Sequence, residues 1–182
     1  MLPIAPLMIE HRVIEQMIGI IENEVDWCDQ NGSINIELVD AVIDFIQNYG
    51  DRCHHGKEED ILFRELKKKQ LSKEHETIMK ELMYEHRLSK EAVARLIEAR
   101  DKFVQGDKMA LPVMIDCLRF SKSLYPAHIE REDKLFFQPA MGYFSSQERD
   151  EMLQEETEFD RHIIHRVYRD KMQNAHRFLS CA

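Results

Sequence analysis

The stretch Cys53–Ile61 sets a histidine and a glutamate four residues apart, His54 and Glu58. Counting back from His54 by threes and fours gives Gly50, Ile46, Ile43 and Val39; counting forward gives Glu58, Ile61, Leu62 and Glu65. On a helix these positions share one largely apolar face. Both groups therefore aim at a core, where an unpaired carboxylate is costly. A metal ion satisfies both at once. His11, His86 and the pair His128/Glu132 stand in apolar stripes of the same kind. Imidazole with carboxylate, and no thiolate, suits iron, manganese or zinc. A carboxylate can bridge two ions, so these six side chains are enough for a pair. Coordination positions would remain for water, hydroxide, oxo or a small diatomic molecule. His55 and Glu59 have the same spacing but share their side of the helix with Asn48, Asp51 and Arg52. They are expected to face water.

Long helices must carry these residues. The first is expected over about Ile4 to Trp27, with Leu7, Met8, His11, Ile14, Ile18, Ile21 and Val25 in one stripe, before a turn at Asp29–Ser33 in which Ser33 can cap the next helix. The second takes about Ile36 to Lys68; Gly56 inside it costs about 1 kcal/mol against alanine. Ser72 opens the third, whose stripe includes Met79, Leu82, His86, Val93 and Leu96, and Gln105–Asp107 ends it. The fourth spans about Met109 to Gln138, with Cys117, Leu124, Tyr125, His128, Glu132, Leu135 and Phe136 inward. Pro126 removes a backbone donor and predicts a kink or bulge one turn before His128. A fifth helix, about Gln147 to Phe178, opens on Ser145 and Glu148 spaced as a capping box. Its Met152, Phe159, Ile163 and Val167 suit a helix packed outside the others.

The spacing brings the histidines to one height. His11 lies about 16 residues before the end of its helix and His54 about 18 into the next, or roughly 24 and 27 Å. His54 to its helix end matches the start of the third helix to His86, and the hop to His128 is equally balanced. Short loops make neighbours antiparallel. The expected fold is all-α, an up-down-up-down four-helix bundle over about residues 4–140 plus the outer helix at about 146–179, in one domain of residues 1–182.

The net charge of −9 argues against nucleic acid or an anionic membrane as partner. No apolar run approaches the ~20 residues of a membrane span, and the N-terminus lacks a signal-peptide pattern. The cysteines at 28, 53, 117 and 181 show no paired spacing, as expected of reduced thiols in a cytoplasmic protein.

His11 in Glu-His-Arg-Val-Ile-Glu, His54 in His-His-Gly-Lys-Glu-Glu-Asp, His86 in Tyr-Glu-His-Arg-Leu and His128 in His-Ile-Glu-Arg-Glu-Asp-Lys-Leu-Phe together resemble the hemerythrin-like, or HHE cation-binding, family. The likeness spans residues 5 to 140. It implies a non-haem di-iron centre (manganese or zinc being alternatives in purified protein) with an oxo or hydroxo bridge or water. His11, His54, His86 and His128 would be terminal ligands, with Glu58 and Glu132 bridging. Oxygen-carrying members place two histidines four apart on the third helix, whereas the second slot here is Lys90. That departure points away from oxygen storage and toward binding of O2, NO or peroxide as sensor, store or scavenger. An enzyme turning over peroxide or NO or donating iron, and a metal-stabilised interaction module, are the alternatives. Glu15 is a candidate seventh ligand, and Tyr125 a core aromatic with a ligand or redox role as the alternative. His75, His162, His165 and His176 read as surface or packing residues, and Cys53 as a small buried hydrophobe. The oligomeric state stays open, a homodimer being one option.

Overall fold

The computed structural model describes the backbone of residues 1–180 and the side chains of residues 1–163. Among the described residues all regular structure is helical, with no strand. Helix α1 covers Ile4–Asn31, beyond the expected Trp27. It ends only where Gly32 takes left-handed backbone (φ 62°) and returns its N–H to the Cys28 carbonyl. Helix α2, residues 36–66, is capped by Asn35 rather than Ser33: the Asn35 side chain accepts from the Leu38 N–H at 3.2 Å. Helix α3 is Lys73–Val104, with Ser72 accepting from the His75 N–H at 3.2 Å. Helix α4 spans residues 110–140 and α5 is Ser146–Ser180. The capping box before α5 closes both ways: the Ser145 N–H donates to Glu148 at 2.8 Å and the Glu148 N–H to Ser145 Oγ at 3.3 Å.

Two helices depart from α geometry where the chemistry lies. In α2, Ile46–His54 and Glu58–Phe63 are π-helical, separated by the short α stretch His55–Lys57. In α4, α geometry runs through Pro126 without a break, and the π turn is Glu132–Phe136, after His128 rather than before it. The wider turn of a π-helix (bonds to the fifth residue back, as from the His55 N–H to the Gly50 carbonyl) delays the rotation of the chain. Adjacent residues can then both point inward. His54 and His55 do so, as do Phe136 and Phe137, while Leu135 is turned out to 58% exposure against the expectation that it faces the core.

The helices form the expected up-down-up-down four-helix bundle. α1 packs on α4, α4 on α3, α3 on α2, and the first π segment of α2 on α1; α5 lies outside against both π segments. The apolar core is in two parts. One end holds Ile14, Ile18, Ile21, Val39, Val42, Val93, Leu96, Met114 and Leu118; the other holds Ile4, Leu7, Leu62, Phe63, Leu66, Met79, Leu82, Phe136 and Phe137, with Met152 of α5. A polar waist separates them. Ile163 of α5 is buried; the side chains of His165, Val167 and His176, and Cys181, lie outside the described residues.

Candidate metal centre

Seven side chains meet at the waist: His11 from α1, His54, His55 and Glu58 from α2, His86 from α3, and His128 and Glu132 from α4, all buried. They sort into two sets. His11 Nε2 lies 3.0 Å from His54 Nε2 and 3.1 Å from Glu132 Oε2, and His54 Nε2 lies 3.3 Å from Glu58 Oε1. In the other set, His86 Nε2 is 3.3 Å from Glu58 Oε2 and His128 Nε2 is 3.3 Å from Glu132 Oε1. The ring of His55 stacks on that of His86, centroids 3.9 Å apart. Each glutamate thus turns one oxygen to each set. Donor atoms of His11, His54, Glu58 and Glu132 lie within 4.8 Å of one another, as do those of His55, Glu58, His86 and His128.

All five imidazoles are oriented the same way. Nδ1 of His11 meets Asp133 at 2.7 Å, that of His54 meets Glu10 at 3.0 Å, and that of His55 meets Asp51 at 3.1 Å. Nδ1 of His86 meets Glu59 and that of His128 meets Glu85, each at 2.8 Å. A carboxylate accepts, so Nδ1–H donates and the lone pair of Nε2 is left facing the waist. Outer cations hold these carboxylates in turn: Arg12 on Asp133, Lys57 on Glu10, Lys90 on Glu59 and Arg131 on Glu85. Lys90, one turn after His86, lies 3.5 Å from Glu59, the carboxylate on which His86 rests.

When the rings are neutral these converging lone pairs need a cation; without one, protons on the rings take its place. Both oxygens of Glu58, both of Glu132, and Nε2 of His86 and of His128 are fully buried without a hydrogen-bond partner. Buried acceptors left in that state are costly. The titration behaviour reflects the same crowding. Burial opposes charging His86, but Glu58 and Glu59 outweigh it and raise the ring to about 9; for His128, Glu132 and Glu85 outweigh burial and raise it to about 10. His55 goes the other way, held well below its usual value by burial and by the imidazoles of His86, His54 and His128. Burial would raise the carboxyl of Glu132, but His128 and His11 hold it well below the ordinary range. A set of five imidazole nitrogens and two shared carboxylates suits a pair of first-row ions.

The structure brings together all six residues expected from the sequence and adds His55, which is 2% exposed rather than facing water. The π segment ending at His54 is the reason. Glu15 does not join them: it is exposed and pairs with Arg12 at 2.9 Å. Tyr125 is buried with its hydroxyl 2.9 Å from Ser89 Oγ, and burial pushes its phenol above the ordinary value. Cys53 is half-buried, its thiol donating to Asp160 Oδ1 at 3.4 Å and pushed up to about 12 by burial, so it is no thiolate nucleophile. His75 bonds the Tyr143 hydroxyl at 2.8 Å, and His162 is exposed beside Glu158.

Beneath the waist, α5 inserts Glu156, 1% exposed with both oxygens unpartnered. Burial raises its carboxyl from 4.5 to about 8, against the pull of Lys57. The folded protein therefore keeps a proton that the unfolded chain gives up above pH 4.5, and stability falls as pH rises from there toward 8. Replacing it, Glu156→Gln, should leave stability little changed near pH 5 and raise it near pH 9 in denaturant titrations. Equal effects at both pH values would show that Glu156 is ionised throughout.

The hemerythrin HHE cation binding domain matches residues 2–140 of the chain. No curated protein and no solved structure matches it. Among the described residues no helix is long and apolar enough to cross a membrane. The matched span takes in the four bundle helices and every residue of the two donor sets, and leaves α5 outside. With its bundle, its two His/Glu clusters that could hold metal and this match, the chain belongs to the hemerythrin HHE cation-binding domain family.

Proposed function

We propose that this chain, residues 1–182 acting as one domain, is a non-haem di-iron protein that binds O2, NO or a related small molecule as sensor, store or scavenger. His11 and His54 would hold one ion and His55, His86 and His128 the other, with Glu58 and Glu132 shared between them. The observation that carries the reading is the uniform orientation of five imidazoles, each with Nδ1 on a carboxylate and Nε2 toward the waist. Carboxylate partners of this kind fix the ring and strengthen it as a donor. Two bound iron ions would supply reversible redox change and open coordination positions.

The chain's own residues do the rest. The two sets are unequal, two histidines against three, so an ion in the His11/His54 half would have fewer protein ligands. Ile14, Ile18 and Ile46 pack with Tyr125 in the apolar core next to the waist, surroundings that favour a neutral diatomic ligand over an ion. The Asp and Glu partners hold each Nδ1 proton in place while charge at the centre changes.

Metal analysis of protein purified without added metal, joined to near-ultraviolet spectra, tests this. Wild type should carry two irons per chain and show charge-transfer bands that shift with azide, oxygen or NO. His54→Ala and His55→Ala should each lose about one iron, from opposite halves, with metal affinity there down by at least ~10-fold. Full occupancy in His55→Ala would remove that residue from the set, and a spectrally silent zinc protein would end the di-iron reading.

A further inference from the structure

Four of the five orienting carboxylates carry an outer cation, and those four are not held alike. The cations on Asp133, Glu59 and Glu85, namely Arg12, Lys90 and Arg131, come from the bundle itself and keep part of their surface in water. Glu10, which holds His54, is different. Its other oxygen takes a charged contact from Lys57, whose side chain is 0% exposed. That ammonium is held on its far side by Asp160 of α5, 2.8 Å from Oδ1 and 3.1 Å from Oδ2. Asp160 is 41% exposed and receives the Cys53 thiol as well. A continuous line of charged contacts therefore runs from the surface of α5 through Lys57 and Glu10 to His54, and α5 lies beyond the residues that match the family. Helix α5 is seated for this: the ring of Phe159, next to Asp160, fills the space over Gly56, where a Cβ would come within 2.8 Å of it.

We infer that Asp160 is a positioning residue for the His11/His54 half of the centre, so that α5 sets the cation affinity of that half and leaves the other alone. The inference rests on the two-ion reading above. A buried ammonium shared between two carboxylates draws less on either. Without Asp160, Lys57 would turn wholly to Glu10, neutralise it, and weaken its hold on the His54 Nδ1 proton. His54 would then be both a poorer donor and a less fixed one. His86 and His128 bond to Glu59 and Glu85, which have no link to Lys57 among the contacts described.

The test is titration of the full-length, metal-free chain with Co2+, followed by visible absorption and chelator competition. Wild type should take two Co2+ per chain. Asp160→Asn should weaken one of them by ~10–100-fold, the range typical for loss of an outer partner. The weakened ion should be the one lost in His54→Ala and kept in His55→Ala, with metal-free melting as in wild type, and Asp160→Glu should recover most of the affinity. Glu155→Gln, which breaks the two-pronged contact of α5 with Arg64 (2.8 and 2.7 Å), should change neither affinity. Wild-type affinity at both positions in Asp160→Asn would overturn the inference alone. So would equal weakening of both ions with earlier metal-free melting, which would make Asp160 only a fastening for the helix. Uptake of fewer than two Co2+ by wild type would overturn the two-ion reading and this inference together.

Discussion

Glu58→Ala should abolish metal retention at both halves of the centre, where a single histidine change abolishes it at one. Glu58 directs Oε1 to His54 at 3.3 Å and Oε2 to His86 at 3.3 Å, so one deletion removes a carboxylate oxygen from each set. Loss of an outer partner alone costs ~10–100-fold in affinity, and a shared inner ligand should cost at least the upper end of that at each position. Since ligand binding stabilises by mass action, the consequence extends to folding. Wild type should melt higher with metal than without, whereas Glu58→Ala should melt at the same temperature in both. Melting curves with and without Fe2+, together with metal content, provide the check. A variant that keeps one firmly bound ion would show that Glu58 belongs to one half only.

The second large effect concerns Lys57, whose charge is fully buried between Glu10 and Asp160. Burial opposes that charge, yet the two carboxylates outweigh it and hold the ammonium above its usual value. Removing one partner of a buried ionic group strands the other, at a cost of ~3–5 kcal/mol. Asp160, 41% exposed, can rehydrate at the surface, whereas Glu10, at 12%, has little access to water, so Lys57→Met should cost about the lower end of that range against a total of ~5–15 kcal/mol. Adding Glu10→Gln to Lys57→Met should recover a good part, because the only charge then left without Lys57 is that of the exposed Asp160. Denaturant unfolding of the metal-free proteins decides it. A Lys57→Met chain within ~1 kcal/mol of wild type would mean that water reaches Glu10 after all.

Much of this is legible in the residues. Stripes at threes and fours locate four bundle helices, and equal spans either side of the turns place His11, His54, His86 and His128 at one level, where the structure has them. His55 is not legible, because counting by 3.6 assumes an uninterrupted α-helix. The π segment Ile46–His54 breaks that count, and nothing in its composition announces the extra residue per turn. The same slip hides the outward turn of Leu135. Pro126 misleads in the opposite direction: the helix absorbs its missing donor on an exposed face, while the real bulge comes later, at Glu132–Phe136.

The orienting carboxylates carry a signal of their own. Glu10, Glu59, Glu85 and Asp133 each stand next to a residue of the donor sets in the chain, yet each serves a histidine on another helix. Only antiparallel packing converts such neighbours into cross-helix partners. Lys57 looks like any polar position in the sequence, since nothing local to it shows that α5 covers it.

The divided core also dictates how anything reaches the waist. With Ile21, Leu96 and Leu118 filling one end and Phe63, Phe136 and Phe137 the other, the described residues leave no axial passage for a small guest. Traffic must come sideways between helices. One flank offers a cleft of about 330 Å3 floored by His55 and walled by Lys90, Gly56 and Phe159, so the outer helix stands beside a doorway as well as behind Lys57.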